Sequence, residues 1–348
     1  MKRLGYYFFK YWVSIGLFCY YKSIKVAGAE HVPKDGPVLF LSNHQNALMD
    51  ILLIATHCKR KPWYLTRADI FKNGLFRPLF QFLQMIPIYR IRDGRANLSK
   101  NLEIFMSCAK LLGEGEAILV FPEANHSLRR RVRPLSKGFT RVIDTALEYN
   151  RNLDLKLVPI GQNYQCPQQA GDSAALCFGK PMNVHQFKDK HDFAGKIKKA
   201  VLEELRQLTT HIEEVGYERI LSKLEAIKAD FTEPATMNTR IKNQQFEKIP
   251  TETKSGNAIS RFLFLLNNLP IILLWRTWIK PKVPEPEFEA TFRFGFSLLM
   301  YPTVYLLTFI TLGYVYHFKT ACLWVIGHAV CNLILVKIFG ITSSSQRK

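Results

Sequence analysis

The stretch PVLFLSNHQNALMD, residues 37–50, decides how this chain is read. A short apolar run stops abruptly at Asn43 and His44, and apolar residues resume at Ala47, Leu48 and Met49. That is the pattern of a buried strand leading through a polar loop into a helix. The loop also joins a histidine to a carboxylate. Imidazole ordinarily titrates near about 6.5, so His44 could take a proton from a hydroxyl while Asp50 fixes its tautomer and stabilises the imidazolium. Taken alone, His44 and Asp50 are read as readily as a helix start followed by a solvated acid.

Working outward, the same strand-to-polar pattern recurs in WYLTRAD (63–69), PIYRI (87–91), AILVFPE (117–123) and LKLVPIGQNY (155–164), with helical periodicity between. The expectation is an α/β fold, a mixed sheet flanked by helices. The polar blocks then sit at the carboxyl ends of strands, where ligands of open α/β sheets bind. A second block, FPEANHS (121–127), runs into LRRRVRPLSKG (128–138), which carries Arg129, Arg130, Arg131, Arg133 and Lys137. Arginine runs of this kind either face solvent or anchor phosphate groups.

The organisation expected along the chain has four parts. Residues 1–22 hold LGYYFFKYWVSIGLFCYY (4–21), rich in the tyrosines and tryptophans that favour a membrane interface, and read as an interfacial helix. Residues 23–231 form the catalytic α/β domain. Residues 232–257, with Pro234, Pro250, Ser255 and Gly256, read as a linker. Residues 258–348 form a membrane region: 259–278 is interrupted by Asn267, Asn268 and Pro270, as in an interfacial or re-entrant segment, and 294–316 and 320–340 form a hairpin of transmembrane helices.

Composition supports a membrane partner. With 48 Lys and Arg against 28 Asp and Glu, the net charge of +20 favours an anionic surface. No basic motif of a nucleic-acid-binding fold appears, so no nucleic acid is expected. Seven scattered cysteines without a CxxC pair read as reduced thiols facing the cytosol. Neither they nor the histidines show metal-ligand spacing, and neither metal nor cofactor is expected.

NHQNALMD, IPIYR, FPEANHS and LVPIGQNY occur in the order of the four motifs of the glycerolipid acyltransferases, over about residues 25–182. The chain thus resembles the phospholipid/glycerol acyltransferase family. The resemblance implies transfer of an acyl group from a thioester of coenzyme A or acyl carrier protein to a hydroxyl of glycerol-3-phosphate, dihydroxyacetone phosphate or 1-acylglycerol-3-phosphate. It further implies a membrane-bound enzyme of phospholipid synthesis with its catalytic domain on the cytoplasmic side. His44 would be the base and Asp50 its partner. Asn43, Arg90, Glu123, Ser127, Arg129, Arg130 and Lys137 would contact substrate, Arg90 being the arginine that ends the second motif. Backbone amides near 123–125 would stabilise the oxyanion.

Three departures from the family pattern stand out. Five residues separate His44 from Asp50 where the family usually has four, which turns the carboxylate by about 100° on an ideal helix, so a loop or bulge must precede the helix. This longer spacing resembles a subgroup related to glycerol-3-phosphate and dihydroxyacetone-phosphate acyltransferases. In the third motif Ala124, Asn125 and His126 stand where Gly and then Thr-Arg are usual, and in the second Gln84 replaces a glycine. Arg129 or Arg130 could substitute for the missing loop arginine, and His126 reads as structural or auxiliary. An acyltransferase for another lysolipid acceptor, or a catalytically silent membrane scaffold, are the alternative readings.

Overall fold

The protein is described from a computed structural model covering residues 2–68, 83–89, 100–187, 192–247 and 258–339. Eight strands among the described residues form one mixed sheet. They are β1 (Ser23–Ala27), β2 (Val38–Ser42), β3 (Trp63–Arg67), β4 (Met85–Ile88), β5 (Ala117–Val120), β6 (Lys156–Tyr164), β7 (Ser173–Phe178) and β8 (Met182–Asn183). Their order is β1-β7-β6-β2-β5-β3-β4, with β8 beside β6; β6 runs antiparallel to β7 and β8, and the remaining pairs are parallel.

The sheet is covered on both faces, which is why β2 and β5 are apolar or small at every position and buried throughout. Strand alternation divides their side chains between two layers. Val38, Phe40 and Leu119 face α1 (Lys2–Tyr20) and α2 (Ala47–His57). Leu39, Leu41 and Ile118 face α3 (Lys100–Gly113), α4 (Gly138–Tyr149) and, after a further crossing, α5 (Phe193–Leu208). β2 lies mid-sheet, so its carboxyl end opens where β5 and β6 also present theirs.

A small helical layer follows α5. It comprises α6 (Tyr217–Ala226) and α7 (Pro234–Lys242), which close a cluster around Tyr217, Leu224, Phe231 and Met237. Here the structure departs from the linker expected at 232–257. Pro234 occupies the first helical turn, where its missing N–H costs nothing. The Asn238 side chain donates to the carbonyls of Arg206 and Thr209, and so fixes α7 to the end of α5. The remainder of that stretch, 248–257, lies outside the described residues.

The carboxy-terminal region holds α8 (Ala258–Asn267) and α9 (Leu269–Leu274), bent through 86° at the asparagine pair, then α10 (Glu289–Val315) and α11 (Phe318–Ile334). Pro286–Val315 and Phe318–Ile338, with mean hydropathies of 1.6 and 1.9, are long and apolar enough to cross a membrane. The polar residues that interrupt their sequence face one another. Asn268 Nδ2 donates to Asn332 Oδ1 at 2.7 Å, Tyr301 donates to Asn268 Oδ1 at 2.8 Å, and His328 pairs with Tyr305 at 3.1 Å. In an apolar surrounding such groups need partners, and here they hold α8, α10 and α11 together.

This region is no appendage. Ala290 and Phe294 of α10 belong to the same buried cluster as Val13, Leu17 and Tyr20 of α1 and Met49 of α2. The opposite side of α1 leaves Leu4, Phe8, Tyr11, Ile15 and Phe18 exposed, continuous in character with the exposed leucines and isoleucines of the apolar helices.

Candidate active site

β2 delivers Asn43 and His44 at the carboxyl end of the sheet. The five-residue gap is accommodated before the helix begins. His44, Gln45 and Asn46 form the loop, Ala47 takes a left-handed φ of 43°, and Asp50 enters in the first turn of α2. The carboxylate therefore turns back toward the loop rather than following ideal helical rotation. His44 Nδ1 lies 2.7 Å from Asp50 Oδ2. The same oxygen accepts the backbone N–H of Gln45 and of Asn46, each at 2.8 Å. Asp50 is fully buried while the His44 side chain is 17% exposed, so the ring is reachable and its partner is not.

An acceptor-only carboxylate at Nδ1 assigns the proton there and leaves Nε2 as the basic nitrogen. The ring is further fixed by Phe121, stacked on it at 4.0 Å between centroids and 18° between planes. Phe121 opens the second polar block, which is bound to the first through its backbone: Ser127 N–H donates to the His44 carbonyl at 3.0 Å, and the Gln45 side chain donates to Leu128 O at 3.1 Å.

Glu123 is buried in this loop with Arg133 Nε at 2.7 Å, and Arg133 also donates to the Asn125 carbonyl. Burial raises the Glu123 carboxyl above its ordinary range, while Arg133 and, more weakly, His44 act against that rise. Arg133 is thus the arginine of the run that is held on the buried Glu123 carboxylate. The sequence reading places it in the arginine run but not among the substrate contacts; it lies ten residues after Glu123.

The other expected contacts are placed differently. Arg130 donates to the carbonyls of Tyr164 and Gln165 at 2.6 and 2.8 Å and stacks over Phe231. Arg129 lies over the Tyr217 ring and pairs with Glu214 at 2.7 Å, and Arg131 pairs with the same carboxylate. These arginines tie the loop to the helical layer, so neither Arg129 nor Arg130 stands as the ready substitute for a phosphate-binding arginine. Asn43 is buried and joined through both amide atoms to the Gln162 backbone, at 3.0 and 2.7 Å, where it bridges β2 to β6. Ser127 Oγ accepts from the Arg129 N–H at 3.3 Å, and Lys137 is exposed at the start of α4. The Ala124 N–H, one of the amides expected to meet an oxyanion, is engaged with the Phe121 carbonyl at 3.2 Å. Arg90 lies outside the described residues.

His126 stands edge-on to His44, 5.7 Å between ring centroids. Its Nε2 meets Glu285 Oε2 at 2.7 Å and its ring packs against Phe288. Glu285, His126 and Glu287 bring their donor atoms within 4.8 Å of one another, but the direct His126–Glu285 hydrogen bond already accounts for the closest pair.

Residues 23–162 match a family model described as Acyltransferase. Over that stretch the chain is similar to the acyltransferase family. Over 138 residues, 39% of its length, it is 25% identical to a chloroplastic 1-acyl-sn-glycerol-3-phosphate acyltransferase of Brassica napus. It is 26% identical, over a stretch of the same length, to the corresponding chloroplastic enzyme of Arabidopsis thaliana. The matched stretch spans 38% and 36% of those relatives' own lengths. Among solved structures, the 1-acyl-sn-glycerophosphate acyltransferase PlsC from Thermotoga maritima shows 17% identity at a TM-score of 0.39, covering 53% of this chain and 72% of that one. So distant a likeness carries no weight for the site. The family match ends two residues before Tyr164, whose hydroxyl donates to Asp50 Oδ1 at 2.6 Å and which sequence reading also missed.

Proposed function

We propose that this chain is a membrane-bound O-acyltransferase of phospholipid synthesis. It moves an acyl group from a thioester of coenzyme A or acyl carrier protein to a hydroxyl of a glycerol phosphate. The names of its relatives favour 1-acylglycerol-3-phosphate as acceptor, ahead of glycerol-3-phosphate or dihydroxyacetone phosphate. The observation that carries the reading is the partly exposed imidazole held through Nδ1 on a fully buried carboxylate.

In this reading the acceptor hydroxyl attacks the thioester carbonyl as His44 Nε2 takes its proton. The tetrahedral intermediate collapses, the carbon–sulfur bond breaks, and the imidazolium returns the proton to the leaving thiolate. Asp50 holds the ring and offsets the positive charge formed on it; such positioned base catalysis contributes about 10² to 10⁴ in rate. His126 is the polar side chain beside the ring, and Arg133 is held on the neighbouring Glu123. The two apolar helices and the exposed face of α1 would lie in lipid, with the positive charge of the catalytic domain against anionic headgroups on the cytoplasmic side, each nearby Lys or Arg contributing about 1 kcal/mol.

The test is acyl transfer from labelled acyl-CoA and from acyl carrier protein to a panel of the three acceptors, with His44→Ala beside the wild type. Selective transfer to 1-acylglycerol-3-phosphate that disappears in His44→Ala is expected. Turnover unchanged by His44→Ala would sink the assignment of the base.

A further inference from the structure

Asp50 has its two carboxylate oxygens divided between different partners. Oδ2 takes the His44 ring and two loop amides, whereas Oδ1 takes the Tyr164 hydroxyl at 2.6 Å. The next acceptor within reach of that hydroxyl, Gln162 Oε1, is 3.4 Å away, too far to compete on equal terms. Tyr164 closes β6, and both it and Asp50 are fully buried.

In a site shielded from water, every hydrogen bond given to a carboxylate draws on the charge it presents elsewhere. A short O–H donor at Oδ1 therefore weakens the hold of Oδ2 on an imidazolium, and it also fixes the plane in which Oδ2 meets Nδ1. We propose that Tyr164 is a positioning residue that sets the basicity of His44 through Asp50. The inference rests on His44 being the base.

Burial first, and the neighbouring Asp50 next, push the Tyr164 phenol well above its ordinary range, so it remains a donor wherever the enzyme is assayed. The other titratable or charged groups that face this chain of contacts are Glu123 and His126 from the loop after β5, Arg130, which donates to the Tyr164 carbonyl, Tyr21 after α1, and Asp172 before β7. Among the described residues none of these five hydrogen-bonds an oxygen of Asp50, which leaves Tyr164 as the side chain that acts on Oδ1 directly.

The experiment uses the full chain in detergent micelles. The rate at which diethyl pyrocarbonate modifies His44 is followed against pH by peptide mass spectrometry, alongside the pH profile of kcat/KM with labelled acyl-CoA and 1-acylglycerol-3-phosphate. In Tyr164→Phe both curves should move to higher pH by about one unit, because a carboxylate relieved of its O–H donor holds the imidazolium proton more tightly. Replacing Tyr164 with 3,5-difluorotyrosine keeps the hydroxyl and its packing, strengthens the donor, and should move the curves to lower pH. In an Asp50→Asn background Tyr164→Phe should move neither. Unshifted His44 reactivity in both Tyr164 variants would overturn the inference. Because that readout needs no turnover, an inactive wild type would count against the acyl-transfer reading alone.

Discussion

His126 Nε2 lies 2.7 Å from Glu285 Oε2, across 159 residues of chain, and this contact joins the loop that roofs His44 to the segment that enters the first apolar helix. The join is reinforced nearby. Gln168 donates to the Pro286 carbonyl at 3.3 Å, and Arg293 of α10 donates to the Gln168 carbonyl at 2.7 Å. Glu285 is more than half exposed, so the pair itself is worth no more than about 1 kcal/mol. Glu285→Ala should therefore lower kcat/KM about two- to fivefold with no measurable change in melting temperature; a loss of fold on circular dichroism would contradict this.

Asp50→Asn is expected to be far more damaging. With its oxygen in the place of Oδ2 an amide can keep both backbone hydrogen bonds while its NH2 donates to the Tyr164 oxygen, but it removes the charge that would stabilise the imidazolium. Turnover should fall by about 10² to 10⁴, while lysophosphatidate binding measured by calorimetry stays within a few fold. Equal losses in binding and turnover would show that Asp50 shapes the acceptor site instead.

Among the described non-glycine residues with a left-handed φ, Gln84 at φ 58° and Ala124 at φ 62° stand at the two positions where the sequence pattern leads us to expect glycine. A side chain there costs about 1–2 kcal/mol, and part of that is offset because glycine gains more freedom in the unfolded chain. Gln84 also carries a buried Oε1 without a partner. Gln84→Gly and Ala124→Gly should each stabilise the protein by about 0.5–1 kcal/mol, seen as melting points higher by about 1–4 °C.

Asp172, fully buried with its Oδ2 on the Cys166 N–H at 2.8 Å, has its carboxyl pushed up to about 7, chiefly by burial. An acid whose folded value is raised favours the native state only while protonated. Its contribution is complete below about 4 and is lost as the pH climbs through about 7. The gap of about three units corresponds to at most about 4 kcal/mol. Asp172→Asn should flatten the stability profile over this window, with the variant's relative stability greatest above pH 7; parallel melting curves from pH 5 to 8 for the two proteins would contradict the assignment.

Much of the sheet was legible because β2 and β5 are buried on both faces and so read as near-continuous apolar runs, and β6 holds the apolar stretch LVPI. The His44 and Asp50 pair was legible for a related reason: both residues flank one strand end. What escaped reading depends on contacts between distant segments. Nothing in RRRVR distinguishes Arg133, which meets Glu123, from Arg129 and Arg130, whose partners Glu214, Tyr217 and Phe231 come from a helical layer more than eighty residues on. Tyr164 gave no signal beyond its place in LVPIGQNY, since its partner lies 114 residues away. The α7 helix was hidden by its polar composition, because α7 is held by the side-chain hydrogen bonds of Asn238 as much as by a buried face.

The Lys337 ammonium donates to the Tyr21 carbonyl at 2.8 Å and lies over the Phe18 ring, which joins the end of α1 to the turn that extends α11 across 316 residues. Chain synthesis at about 5–20 residues per second separates the appearance of these partners by about 15–60 s. During that interval α1 exists without the groups that complete its packing. On the membrane-bound reading proposed above, its exposed aromatic side would then hold the nascent chain at a bilayer before the sheet has acquired Phe294 and closed its core.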